Sequence, residues 1–220
     1  MKNKNLRGVA IVEFSFVMLV LIPMLLGSTA IGVNMVRSLQ TVQLARDAGH
    51  MFARGVDFSQ IGNKTILATI GAGTGLSTTS GSGNSVVILS SVAYIDKAMC
   101  LSDGLAVDAG GNPIGCTNLG KWVFTQRLVI GKSGIHSSNF GDPGAGVTLN
   151  ATTGEISLDD QVKKTTDRAT FSGINPYANV AGAVSGLPSG QEIFIAEAAT
   201  QGFSMPPFMP NAVHYSFNMF

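Results

Sequence analysis

The sequence is poor in charged residues, and this scarcity limits the functions that it can serve. Of its 220 residues, 14 are Lys or Arg and 13 are Asp or Glu, which gives a formal net charge of +1. A nucleic-acid-binding domain needs a strongly basic surface to neutralise phosphates, and this balance supplies none. We therefore expect no nucleic-acid partner. The 27 glycines and the recurring Ser/Thr/Gly tracts favour a weakly charged extracytoplasmic surface with long loops.

Residue types that catalyse reactions or bind metals are also sparse. The three histidines, His50, His136 and His214, lie far apart and have no partners at metal-ligand spacing. Asp159 and Asp160 form an isolated acidic pair, and no nucleophile stands in a motif with an acid or a base. We predict that the chain is not an enzyme and carries neither a cofactor nor a metal.

Only two cysteines are present, Cys100 and Cys116, and a Gly-, Asp- and Asn-rich segment separates them. Outside the cytoplasmic membrane they can form a disulfide, which would stabilise a loop of this size by about 3 kcal/mol. Two free buried thiols are the other interpretation. Asp103, Asp108 and Asn112 in the same loop have side chains that calcium can use, but their spacing is not that of an EF-hand. We interpret the segment as a turn-rich loop.

One long apolar segment dominates the first quarter of the chain. It extends from Val9 to Val36 with few polar interruptions, and as a helix it would be about 40 Å long, more than a bilayer core requires. Pro23, with Gly27 and Gly32 downstream, should weaken or kink this helix locally. The segment is predicted to span a membrane once.

The residues before this segment predict its orientation. Residues 1–8 are basic and contain no acidic residue, and without them the chain has 11 basic against 13 acidic residues. By the positive-inside rule they should stay in the cytoplasm, so the C-terminal region should lie outside the cytoplasmic membrane. We divide the chain into a cytoplasmic leader (1–8), a transmembrane and assembly helix (9–55) and an extracytoplasmic domain with Gly-rich loops (56–220).

The helical pattern continues beyond the apolar segment. Apolar residues keep recurring at every third or fourth position, so one helix should run from about Val9 to about Arg54, with Gly55 as its stop. Three small residues near its end would let a sheet or a second helix approach closely: Ala45, Ala48 and Gly49.

After the long helix the pattern changes twice. Asp57 or Ser59 should cap a shorter helix that ends near Ile70. Four β-branched or aromatic runs then follow, each bounded by turn-forming residues: Val86–Ile95, Trp122–Ile130, Glu192–Ala199 and Val213–Phe220. We predict an α+β fold in which an antiparallel sheet of about four strands lays one face on the long helix. The region from Gly131 to Gly190 is expected to form surface loops with one short strand or helix.

Glu13 is the residue that most needs an explanation. A carboxylate at membrane depth costs several kcal/mol unless something pairs with it. If the chain is cut after Gly8, the new ammonium group of Val9 lies one helical turn from Glu13, or beside the same carboxylate of a neighbouring copy. The pattern is therefore typical of the precursor of an assembling subunit.

Several short motifs occur together in the first quarter of the chain: Gly8, Val12-Glu13-Phe14, Gly27, Gly32, Ala45-Arg46-Asp47-Ala48-Gly49 and Ala53-Arg54. The segment that contains them, residues 7–54, resembles the TadE-like family, the minor pseudopilin-like subunits of tight-adherence pilus systems. This resemblance implies a pilin-like fold and a structural role in a type IV-related pilus that serves cell adhesion.

The resemblance also implies site residues and partners. A prepilin peptidase would cut between Gly8 and Val9, and Glu13, the fifth residue of the cleaved chain, would act with Phe14 in assembly. The implied partners are this peptidase, other pilus subunits, the assembly machinery, and membrane lipid before assembly. The expected location is the cytoplasmic membrane, and the extracellular pilus after assembly.

Other interpretations stay open. A secretory signal peptide would use Phe14–Leu26 as its apolar core and Ser28-Thr29-Ala30 as its cleavage site. Alternatively, the protein is a bitopic or secreted cell-surface ligand-binding protein whose helix is only an anchor. A secreted hydrolase would require a cluster of catalytic residues that the sequence does not show. The mass of the mature protein separates the first interpretation from cleavage after Gly8.

Overall fold

A computed structural model describes residues 6–170, 189–206 and 209–220, with side chains from residue 10 onward. The helices and strands, in chain order, are α1 (Leu6–Ala53), α2 (Ile61–Gly73), β1 (Ser85–Tyr94), α3 (Lys97–Ser102), β2 (Trp122–Gly131), α4 (Leu158–Lys163), β3 (Glu192–Gln201) and β4 (Val213–Met219). Short 3-10 turns occupy Ser133–Ile135 and Thr165–Asp167. The predicted α+β class is confirmed, and each predicted strand is found within two residues of its expected bounds.

The four strands form one antiparallel sheet in the order β2-β1-β3-β4. Leu89 of β1 lies opposite Leu128 of β2 on one side and Ala196 of β3 on the other. A bulge at Ser91 and Val92 shifts the register toward the end of β1. Nearly all of β1 is buried on both faces, which explains why Val86–Leu89 are consecutive apolar residues rather than an alternating pattern.

The C-terminal half of α1 packs on one face of this sheet. The helix contributes one side of the core and the strands the other: Leu44, Ala45, Ala48 and Phe52 lie against Val87, Leu89, Leu128, Ile130, Ala196 and Ala198. The helix ends as predicted, because Gly55 takes a φ of 77° and the amides of Gly55 and Val56 bond the carbonyls of Phe52 and Met51. Pro23 lies inside one continuous helix.

Gly49 sits where α1 comes closest to the sheet. A Cβ atom at this position would lie 2.3 Å from Phe220 Cε2 and 2.9 Å from the Cβ of Ala196. The prediction that small residues permit a close approach is therefore confirmed here. By contrast, a Cβ atom on Gly32 would meet nothing within 4 Å.

This difference between two glycines of one helix predicts opposite tolerance to substitution. Gly49→Val should lower the free energy of unfolding by about 1–3 kcal/mol, because the ring of Phe220 and Ala196 of β3 must move away from α1 to make room for the new side chain. Gly32→Val places its methyl groups in open space and is the matched control. Denaturant unfolding in detergent micelles measures both, and equal midpoints for the two variants would contradict the close approach.

The predicted cap of α2 is wrong. The helix begins at Ile61 with Gln60 as its N-cap, which makes no capping side-chain bond, and it ends at Gly73, beyond Ile70. Asp57 is engaged earlier: its Oδ1 accepts from the Ser59 amide at 2.8 Å, and its carbonyl accepts from the side chain of Asn63. The carboxylate stabilises the turn between the two helices and is not available to cap α2.

A layer of irregular chain covers the second face of the sheet. Its buried Phe140 and Ile156 pack against Phe124, Ile193 and Ile195. The expectation that residues 131–190 are only surface loops is therefore wrong for 132–170, although the expected short helix is present as α4. Residues 171–188 lie outside the described residues. The apolar residues of this layer are spaced without any period, so no local pattern marks them as core.

The two cysteines form the predicted disulfide. Cys100 on α3 and Cys116 are bonded with a Cα–Cα distance of 5.9 Å, which closes the long connection between β1 and β2. Cys100 is fully buried beside Val162 of α4. Asn118, two residues after the bridge, donates at 2.7 Å to the carbonyls of Gln161 and Lys164. The bridge thus helps to hold the irregular layer on the sheet.

Candidate functional site

The N-terminal part of α1 has no protein cover in the described chain. The helix from Ala10 onward is long and apolar enough to cross a membrane, with a mean hydropathy of 2.3 in its most apolar window, none of which is buried. Its exposed large side chains lie on all sides of the helix: Ile11, Val12, Phe14, Phe16, Val17, Leu19, Val20, Leu21, Ile22, Met24, Leu25, Leu26, Ile31 and Val33. A helix that is apolar all round is suited to a lipid or protein surround.

The hydroxyl side chains in this segment satisfy their own hydrogen bonds. Ser15 donates to the carbonyl of Ile11 at 2.9 Å, and Ser28 and Thr29 donate to carbonyls one turn earlier at the same distance. Such internal bonds remove the cost of placing a hydroxyl in lipid. These residues therefore do not require a partner outside the helix.

Glu13 differs from these residues. It is exposed on the helix surface, and among the side chains that the structure describes none forms a hydrogen bond or an ion pair with it. Phe14 beside it is 60% exposed. Gly8 and Val9 both lie in the helical backbone of α1. Glu13 and Phe14 thus both lie exposed on the N-terminal part of α1, and no described side chain pairs with the carboxylate.

Two glycines leave room for another helix beside this segment. A Cβ atom on Gly27 or Gly32 would meet no atom within 4 Å. In apolar surroundings small residues let neighbouring helices approach closely, since packing rather than exclusion of water drives their association. The exposed part of α1 therefore carries both a charge that has no partner among the described side chains and positions for close helix contact.

A buried polar cluster under the irregular layer was not predicted from the sequence. Arg127 of β2 lies 3.9 Å from Glu197 of β3, and both side chains are almost completely buried. Arg127 also bonds Ser90 and the Gly141 carbonyl, and it forms an ion pair with Asp142. The sequence signal was a charged residue in the middle of each of two largely apolar strands.

Glu197 accepts hydrogen bonds from residues of the irregular layer and from β4. The hydroxyl of Tyr215 donates to it at 2.7 Å, the amide of Asn139 at 3.0 Å, and Ser138 donates as well. Burial raises the pKa of Tyr215 above its ordinary value, and the bond to the Glu197 carboxylate raises it further. The phenol therefore stays protonated as a donor. This arrangement holds residues 138–142 on the sheet.

Asp167 is a second buried acid that the sequence did not reveal. It is fully buried, and among the residues that the structure describes neither carboxylate oxygen has a hydrogen-bond partner. Burial, with a smaller contribution from the nearby Asp160, raises the pKa of Asp167 to about 8, while Lys164 opposes the shift. Asp160 itself has a lowered pKa because Lys164 binds it at 2.8 Å.

The raised pKa of Asp167 predicts how stability depends on pH. Between about pH 4 and about pH 8 the folded chain holds one more proton than the unfolded chain, so the free energy of unfolding should fall as pH rises, by about 1.4 kcal/mol per unit for this group. Asp167→Asn stays neutral and should lose this slope, so its stability relative to the parent should increase progressively from about pH 4 to about pH 8.

Denaturant unfolding at several pH values measures the effect. Asp159→Asn is the control, because the Asp159 side chain is 59% exposed on the neighbouring helix α4. It should leave the slope unchanged. Parallel curves for the parent and the Asp167 variant would show that Asp167 does not titrate in this range.

Asp103, Asp108 and Asn112, which had been weighed for calcium binding, make contacts within the protein instead. Asp103 pairs with Lys163 at 3.1 Å, whereas Asp108 accepts from the amide of Asn112 at 2.8 Å and closes its own turn. Hydrogen bonding to Asn112 lowers the pKa of Asp108. Across residues 6–170, 189–206 and 209–220, no three His, Cys, Asp or Glu side chains are grouped so as to hold a metal ion.

Comparison with known proteins found no relative of this chain. No protein-family model, curated protein or solved structure matches the chain. The functional argument therefore depends on the residues and the fold described above.

Proposed function

We propose that this chain is a minor pilin or pseudopilin-like structural subunit of a tight-adherence, type IV-related pilus. In this proposal a prepilin peptidase removes residues 1–8 on the cytoplasmic side, and the new N-terminal helix joins the filament. Glu13 pairs with the ammonium group of Val9, its own or that of a neighbouring copy. The chain has a structural and not an enzymatic role.

The observation that carries the proposal is the contrast between Glu13 and the other polar side chains of its helix. Ser15, Ser28 and Thr29 bond to their own backbone, while Glu13 has no partner among the described side chains. A helix that served only as an anchor would have no need for a charge at this depth. A free ammonium group one turn away supplies a reason for it.

The division of α1 into two halves supports the same role. Its C-terminal half is buried against the sheet, and its N-terminal half is exposed and apolar. In lipid that surface is stable, and on extraction it must contact other helices instead, since apolar area in water costs about 25 cal/mol per Å². The Cys100–Cys116 bridge supports an oxidising, extracytoplasmic location for the sheet domain.

Mass spectrometry of the native protein tests the proposal directly. The mature polypeptide should begin at Val9, and it should be found both in the membrane and in filaments sheared from the cell surface. A mature chain that begins near Ile31 would indicate a secretory signal peptide. An uncut chain found only in membranes would indicate a bitopic protein with a simple anchor, and either result would overturn the proposal.

A further inference from the structure

The loop between β3 and β4, residues 202–212, is attached to α1 at the end of its exposed apolar part. Asn34 makes the attachment with both ends of its amide: its nitrogen donates to the Phe203 carbonyl at 3.0 Å, and its oxygen accepts from the Phe203 amide at 2.7 Å. His214 lies 3.2 Å from the same oxygen. The height of this loop along the helix is therefore fixed by specific bonds.

That height can be compared with the thickness of a membrane. About 20 helical residues cross the hydrocarbon core at a rise of about 1.5 Å each. Counted from Ala10, the crossing ends near Ala30, and Asn34 lies about 6 Å beyond it, in the headgroup layer. Counted from the first residue after Glu13, the crossing ends at Asn34 itself. On either count Phe203 lies at the membrane boundary.

The composition of the loop suits this position. Residues 202–213 contain no Asp, Glu, Lys or Arg. Phe203 is 38% exposed and Val213 47% exposed, although both are apolar. The loop is held in shape by paired backbone bonds between Met205 and Met209 at 2.9 and 3.1 Å. Exposed apolar side chains on an uncharged loop are the features of a segment that lies in a lipid interface.

A positively charged residue, Arg37, lies on the side of Asn34 away from the apolar part of α1. Arg37, one turn after Asn34, donates to the Gln201 carbonyl at 2.9 Å. The opposite end of the sheet differs in character, because the connection from β1 to β2 carries Lys97, Asp103 and Lys121. Lys132, whose amide donates to the Ser85 carbonyl, also lies at the end of the sheet beside the loop.

We propose that the β3–β4 loop contacts the membrane. Phe203 and Val213 insert into the headgroup region of the leaflet on the side of the sheet domain. Together with the Asn34 bonds, this contact fixes how deeply α1 sits and how the sheet is held above the bilayer. The inference depends on α1 crossing the membrane and not on the pilus role.

Depth-dependent fluorescence quenching tests this contact in the full chain. The natural Trp122 is replaced by Phe, and one indole is introduced by Phe203→Trp or, in a second variant, Val213→Trp. Each protein is reconstituted into phosphatidylcholine vesicles whose acyl chains are brominated near the headgroup or near the chain end. Ile114→Trp, exposed on the β1–β2 connection, is the matched control, and Leu21→Trp reports the helix itself.

The indole introduced at position 203 or 213 should lose most of its emission with bromine near the headgroup and little with bromine near the chain end. The indole at position 114 should keep its emission in both lipids. Quenching at position 21 without quenching at either loop position would show that α1 enters the bilayer but that the β3–β4 loop does not contact it, which would overturn the proposal. No quenching at position 21 would show that α1 does not enter the bilayer, and both inferences would then fail.

Discussion

Glu13→Ala should leave membrane insertion intact and remove most of the protein from filaments. The substitution makes α1 more apolar, so insertion is not impaired. It also removes the carboxylate that the ammonium group of Val9 would pair with. The loss of one charge-assisted bond in apolar surroundings corresponds to at least about a tenfold fall in assembly. The measured quantity is the ratio of protein in sheared filaments to protein in membranes.

The same helix offers a control. Ser15→Ala also removes a polar side chain, but that hydroxyl bonds only to the Ile11 carbonyl, so assembly should stay near the parental level. Glu13→Gln keeps the shape of the side chain and removes its charge, and it should behave like the Ala variant. If Glu13→Ala assembles as well as Ser15→Ala, the charge-pairing explanation is wrong.

Arg127→Met should destabilise the sheet domain by about 3–5 kcal/mol, because it leaves the Glu197 carboxylate buried without its cation. The same substitution breaks the bonds to Ser90 and to the Gly141 carbonyl, which hold the irregular layer. The free energy of unfolding, measured by denaturant titration in detergent, should therefore fall strongly. Tyr215 and Asn139 still donate hydrogen bonds to Glu197, and these bonds reduce the loss of unfolding free energy.

A double substitution separates the ion pair from general damage. Arg127→Met combined with Glu197→Gln should cost less than the sum of the two single changes, because neither variant residue leaves a charge alone. Lys163→Met is the control: its side chain is 39% exposed and its partners Asp159 and Asp103 are 59% and 11% exposed, so the loss should be smaller than that for Arg127→Met. Additive losses for Arg127 and Glu197 would show that the buried pair contributes no coupling.

The elements that could be predicted are those encoded by local periodicity. The four strands and the end of α1 at Gly55 follow from patterns of two or of three to four residues, and from a glycine with positive φ. The disulfide could be proposed because only two cysteines exist. The cap of α2 could not, because Asp57 and Ser59 were both possible caps in sequence, whereas in the fold Asp57 accepts from the Ser59 amide and the helix begins after Gln60.

The candidate site divides in the same way. Glu13 and Phe14 were found from sequence, because a charge inside a long apolar run is visible without any structure. Arg127 and Glu197 were not, since they lie in different strands and only the pairing of β2, β1 and β3 brings them together. Asp167 gave no signal, because burial is a property of the whole fold.

The sequence by itself determined the apolar helix, its lone carboxylate, the four strands and the single possible disulfide, since each depends on residue type and short spacing. Only the tertiary structure decided that residues 132–170 cover the second face of the sheet and that Asn34 holds Phe203, 169 residues away. The physical reason is that such contacts depend on the strand order, which brings distant segments together and which no local pattern records.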